Sequence, residues 1–117
     1  MARIVVLDTK QKPIKMLQET FKSTHELERT SDLSAVGEHV AVAVVVIREP
    51  LQVYLNTILR LKSRPKCPKL LAVFESGSLP ADYALVAAQA CGADAILYAQ
   101  HSDIELVGQI LSLLETN

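Results

Sequence analysis

Val40-Ala41-Val42-Ala43-Val44-Val45-Val46-Ile47-Arg48-Glu49-Pro50 runs through eight apolar residues into a charged pair and a proline. An amphipathic strand alternates apolar and polar residues. A run with no polar interruption belongs to a strand covered on both faces, as in a parallel sheet with helices on each side. Pro50 then opens a helix at its first turn, where the missing N–H costs nothing. This one stretch therefore predicts an α/β fold.

The rest of the chain repeats the pattern. Ile4-Val5-Val6-Leu7 is a short buried strand ending at Asp8, and Ile14, Leu17 and Phe21 recur at helical spacing after Pro13. The polar, alternating run from His25 to Arg29 reads as an edge strand. Ser31-Asp32 caps a short second helix reaching about Glu38, weakened by Gly37. After Pro50, Leu51, Leu55, Ile58 and Leu59 form the buried stripe of the third helix. Lys69–Phe74 is the fourth strand, and Ser76–Pro80 is a loop. Ala81–Cys91 is an alanine-rich helix with Gly92 at a left-handed C-cap, and Ala95–Tyr98 is the fifth strand. Ser102-Asp103-Ile104-Glu105 is a capping box. It opens a last helix whose core stripe reads as Ile104, Val107, Ile110, Leu111 and Leu114.

Five βα units joined by right-handed crossovers make a doubly wound five-stranded parallel sheet, strand order 2-1-3-4-5, with helices on both faces. The 117 residues suit a single domain over 1–117. Half are hydrophobic and 21% charged, a composition that excludes disorder. A formal net charge of -1 gives no footprint for nucleic acid or an anionic membrane. The basic run Arg60, Lys62, Arg64, Lys66 and Lys69 reads as a solvated helix C-terminus. No secretory leader or membrane span is visible. Cys67 and Cys91 make neither a disulfide framework nor a metal-ligand set, so free thiols in a reducing cytoplasm are expected. Lys66 beside Cys67 is the one feature that would activate a thiol, but a flexible loop lysine is usually solvated, so inert thiols are the expectation. His25, His39 and His101 share no metal-ligand spacing. The loop around Ser76 and Ser78 lacks a nucleophile-elbow pattern, and no glycine-rich phosphate loop follows the first strand.

Element order and local signatures together resemble the receiver domain of bacterial response regulators, the CheY-like version of the flavodoxin-like fold. Cys91-Gly92-Ala93-Asp94-Ala95-Ile96-Leu97-Tyr98, followed by Ser102-Asp103-Ile104-Glu105-Leu106, is the most specific piece. It is similar to the family's Gly-Ala-Asp-Asp-Tyr approach to strand five and its capped last helix. Pro50 and Pro68 also match in placement.

The resemblance implies a phosphorylation site at the C-terminal edge of the sheet, and this chain departs from it residue by residue. An acidic pair after strand one becomes Asp8 and Thr9. The phosphoacceptor aspartate becomes Val46, four positions before Pro50. The Thr or Ser after strand four gives way to Phe74 and Glu75, with Ser76 displaced, and the Lys-Pro after strand five becomes Ala99-Gln100. One carboxylate without an acceptor or a lysine supplies too few hard oxygen ligands for Mg²⁺ and no group to phosphorylate.

The expectation is thus a degenerate, phosphorylation-independent receiver-like domain for signalling, with no catalysis, no cofactor and no metal. Two alternatives stay open. One is a genuine receiver using another acid such as Asp8 or Glu49, and the other is a small-molecule-binding flavodoxin-like domain. Asp8, Arg48, Glu49 and Glu75 follow strand ends, so they either retain a ligand pocket or close it, with Arg48 paired to Asp8 or Glu75. His101 falls near the aromatic position of the family and either fills the pocket mouth or is a loop residue. The resemblance also implies dimer or effector contacts through the fourth helix, fifth strand and last helix. On that surface Tyr98, Leu106, Ile110 and Leu113 are the candidate interaction residues, since Leu106 and Leu113 exceed the needs of the core stripe. The expected partner is a protein, a second copy or an attached effector domain, since the chain stops just past its last helix at Thr116-Asn117. Neither membrane nor direct nucleic-acid contact is expected.

Overall fold

The computed structural model describes residues 3–7, 19, 21, 25–30, 36, 39–47, 51–74, 82–97 and 103–115, without the side chains of residues 82–84 and 103. The strands are β1 (Arg3–Leu7), β2 (Glu26–Thr30), β3 (Val42–Ile47), β4 (Lys69–Phe74) and β5 (Ala95–Leu97). The helices are α1 (Leu51–Lys62), α2 (Asp82–Cys91) and α3 (Asp103–Glu115). All pairings are parallel and the order is β2-β1-β3-β4-β5, as expected from the sequence. Of the two earlier helices, only Glu19, Phe21 and Val36 fall among the described residues; Glu19 and Phe21 are helical.

Each central strand feeds two cores at once, because successive side chains point to opposite faces. Val5, Leu7, Ala43, Val45, Ile47, Leu70, Ala72 and Phe74 pack on one face with Ile58 and Leu61 of α1 and Ala88 of α2. Ile4, Val6, Val42, Val44, Leu71, Val73 and Leu97 pack on the other with Phe21 and with Leu106, Ile110 and Leu113 of α3. That double burial is why β1, β3 and β4 have no polar side chains between their first residues and their C-terminal ends. Each fully buried Val, Leu or Ile contributes about 1.5–3 kcal/mol over its exposed state.

The edge strand β2 keeps its polar residues, with Glu28 paired to Arg3 across the neighbouring strand. His25 precedes it, half-buried, with its ring tilted against Phe21 at 5.7 Å between centroids. His39 is exposed.

Most of the two expected helix stripes packs on the sheet, Leu51, Leu55 and Ile58 of α1 and Val107, Ile110 and Leu114 of α3, and each stripe departs at its margin. On α1, Leu61 is fully buried while Leu59 is 49% exposed. On α3, Ile104 is 74% and Leu111 40% exposed, whereas Leu106, Ile110 and Leu113 are buried. The physical reason lies in the i, i+4, i+7 spacing of Leu106, Ile110 and Leu113. They form an apolar stripe that shares Ile110 with the expected one on a helix rich in leucine, and the sheet selects the side of Leu106 and Leu113.

Candidate functional site

The strands end together at one edge of the sheet. Leu7 pairs in register with Val45, and Ile47 with Phe74. Val46 lies opposite Val73, which lies opposite Leu97. Parallel partners share a face, so Val46, Val73 and Leu97 make one apolar row toward α3. Val73 and Leu97 are buried in that core, and half-buried Val46 packs against it. A valine there presents two methyl groups and no carboxylate. It can neither accept a phosphoryl group nor ligate a cation. Phe74 lies on the opposite face, 5% exposed.

These two residues are the part of the expected pocket that the structure describes. Asp8, Thr9, Arg48, Glu49, Glu75 and Ala99 lie outside the described residues, as do Ser76, Tyr98 and His101. The ion pairs suggested for Arg48 fall there too. Among the described residues, no group of three or more His, Cys, Asp or Glu could hold a metal ion.

The interaction residues need correction. Leu106, Ile110 and Leu113 are 6%, 0% and 7% exposed and belong to the core, so they offer no surface to a partner. The apolar side chains that α3 does present outward are Ile104 and Leu111.

At the opposite, N-terminal edge of the sheet the structure assembles a polar cluster that spacing did not reveal. Helix α2 ends in a Schellman motif. The Gly92 N–H donates to the Gln89 carbonyl at 3.0 Å, and the Ala93 N–H to the Ala88 carbonyl at 3.1 Å. Gly92 has φ +118°, and a Cβ there would stand 2.7 Å from Lys62 Cγ. Glycine is thus demanded twice, by backbone conformation and by the lysine stem laid across it.

Asp94 follows this turn. Its Oδ2 accepts from the Leu70 N–H at 2.8 Å and from Lys62 Nζ at 2.9 Å, while its own N–H donates to the Leu70 carbonyl at 2.8 Å. Lys62 Nζ also donates to the Pro68 carbonyl at 3.2 Å. Partial burial pushes the Asp94 carboxyl up. The Leu70 hydrogen bond, the Lys62 hydrogen bond and charge, and the Lys69 charge outweigh it, and the group titrates below its ordinary value.

The basic run is accordingly not all solvated. Lys62 is held by Asp94, and Arg64 Nη1 donates to the Val36 carbonyl at 2.7 Å, while Arg60 and Lys66 are exposed. Nearby, Cys67 is exposed and Cys91 half-buried, both free thiols. The sequence signal for this cluster was the Gly92-Ala93-Asp94 triplet. It could be noticed as a family signature, but nothing local tied Asp94 to Lys62.

No protein-family model matches the chain, and no curated protein matches it. Solved structures do. The BeF3-activated receiver domain of DrrB superposes with a TM-score of 0.78 at 15% identity, covering 98% of each chain. The chemotaxis protein CheY4 of Vibrio cholerae gives 0.74 at 17% identity, over 97% of this chain and 99% of that one. The response regulator DrrB, an OmpR/PhoB homolog of Thermotoga maritima, gives 0.80 at 17% identity. There the match takes in 99% of this chain and 54% of DrrB. The chain therefore has the CheY-like receiver fold and spans about half the length of that regulator. Among the described residues no helix is long and apolar enough to cross a membrane.

Proposed function

We propose that this receiver-fold chain is a phosphorylation-independent, non-enzymatic signalling module that works through protein contacts. The observation that carries the reading is Val46: at the tip of β3 the side chain is apolar and packs with the row of Val73 and Leu97. The residue changes at Thr9, Phe74, Glu75 and Ala99 support it from the sequence, since acceptor, second acid, hydroxyl and lysine are replaced together. Phosphoryl transfer depends on positioned charge around the transferred group, and this set lacks most of that charge. The module regulates a protein partner or an attached effector domain, in the cytoplasm.

Incubation with acetyl phosphate and Mg²⁺, followed by intact-mass measurement, tests the reading. The expected result is an unmodified chain. A stoichiometric phosphoryl adduct mapped to Asp8 or Glu49 would sink it and establish a receiver with a displaced acceptor.

A further inference from the structure

One cation of the edge strand is turned into the protein without a counter-charge. Arg29 of β2 is half-buried, and its Nη1 is shut off from solvent with no hydrogen-bond acceptor. Strand register shows why no acid is at hand. Side chains alternate along β2. Leu27 joins the core of Phe21 and α3, so Arg29 shares that face, in register with Val6, which is 1% exposed. Glu26 and Glu28 fall on the other face, and Glu28 is paired with Arg3. Across the sheet the row of Arg29 and Val6 continues as Val44, Leu71 and Ala95, all apolar. Among the described strand residues, the other charge on this face is Lys69, at the N-terminal edge and again a cation. Glu19, Glu105 and Glu115, on the helices of that side, are exposed.

The chemistry of the group limits what can relieve it. A buried lysine can shed its proton, whereas a guanidinium keeps its charge. Burying a charged N–H without an acceptor is the expensive case. A water molecule satisfies the N–H and leaves the charge uncompensated. An oxyanion does both, and the planar guanidinium fork matches two oxygens of a carboxylate or a phosphate.

We propose that Arg29 anchors a binding site for a small oxyanion, a free phosphate or carboxylate, on the face of the sheet that Val46 shares. Val44 belongs to the row of Arg29, and Val46 stands one row further toward the C-terminal edge. The anion is held by charge and hydrogen bonds against β2 and β1 and is not transferred. The site therefore goes beyond the proposed function and does not depend on it.

Titration of the isotope-labelled chain with sodium phosphate, and separately with sodium acetate, tests it by NMR. Sodium chloride at matched ionic strength holds screening constant. Saturable shifts are expected at the Arg29 guanidinium and at the amides of Val6 and Thr30, with half-saturation in the millimolar range, and the two arms tell phosphate from carboxylate. Arg29→Met keeps an apolar stem and removes the charge. It is expected to weaken binding at least about tenfold and, in anion-free buffer, to melt no lower than the parent, because an uncompensated buried charge is gone. Absence of saturation with both anions overturns the proposal, and so does an Arg29→Met variant that saturates like the parent. An Arg29→Met variant that melts well below the parent without anion also overturns it, since the charge then has its partner within the fold. A held anion leaves the intact mass unchanged, so this site and the proposed function fail separately.

Discussion

Lys62 and Asp94, 32 residues apart in the chain, meet at 2.9 Å and tie the end of α1 to the start of β5. The same carboxylate oxygen takes the Leu70 N–H at the start of β4, so three elements are fastened at one atom. The clip sits at the sheet edge opposite Val46, where it can hold the scaffold without touching the candidate site.

Replacing Asp94 by alanine strands the Leu70 N–H and leaves Lys62 with the Pro68 carbonyl alone. Hydrogen bonds to charged groups contribute about 1.5–3 kcal/mol when buried. The Asp94 side chain is 28% exposed, so the expected loss is smaller, about 1–2 kcal/mol. Urea denaturation of the parent and Asp94→Ala proteins at neutral pH measures it. Equal midpoints would show the clip to be energetically idle.

The same pair sets an acid dependence. Asp94 titrates below its ordinary value of 3.8 in the folded chain. A depressed carboxyl contributes stability that is fully present above the unfolded value and is lost as pH falls through the folded one. The stability difference between parent and Asp94→Ala should therefore hold constant from about pH 7 to about pH 5 and narrow below about pH 4. Chemical denaturation at a series of pH values reads it, and a difference that widened on acidification would reverse the assigned sign.

Gly92→Ala should be among the more damaging small substitutions. It places a Cβ on a φ of +118° and drives it to 2.7 Å from Lys62 Cγ. A strained backbone position of this kind costs on the order of 1–3 kcal/mol. Thermal melts of Gly92→Ala, Lys62→Ala and the double variant Gly92→Ala/Lys62→Ala, read as a cycle, separate the two contributions, since Lys62→Ala alone also loses the Asp94 contact. Removal of the lysine stem relieves the clash, while the backbone cost remains.

Two substitutions check the phase of α3. Leu106→Glu buries a carboxylate in the core and should cost more than about 3 kcal/mol. Ile104→Glu on the exposed face should leave monomer stability within about 0.5 kcal/mol. Circular dichroism melts at low concentration decide it, and the opposite ranking would restore the stripe that periodicity suggested.

Under the proposed reading, Val46→Asp should not restore phosphoryl uptake from acetyl phosphate, because the chain offers Ala99-Gln100 and no lysine after β5. A carboxylate at this half-buried tip should also destabilise the fold by about 1–3 kcal/mol. Intact mass and a melt of the variant read both effects. A clean adduct mapped to the introduced carboxylate would show that the acceptor alone had been missing.

The sequence by itself determined the order of elements and the parallel sheet. The apolar runs at residues 4–7, 42–47 and 70–74, the prolines and glycines between them and the capping signals are local facts, and local facts fix local structure. It also determined that position 46 carries no oxygen, since the identity of a residue needs no fold to be read. What only the tertiary structure decided was which of two plausible stripes α3 buries. Residues 104/111 and 106/113 are both a heptad apart on one leucine-rich helix, and the choice belongs to the sheet surface beneath. Tertiary structure also made Asp94 a fastener. Its partners lie 24 and 32 residues away, and no periodicity in the chain encodes contacts brought together by the pairing of β4 with β5.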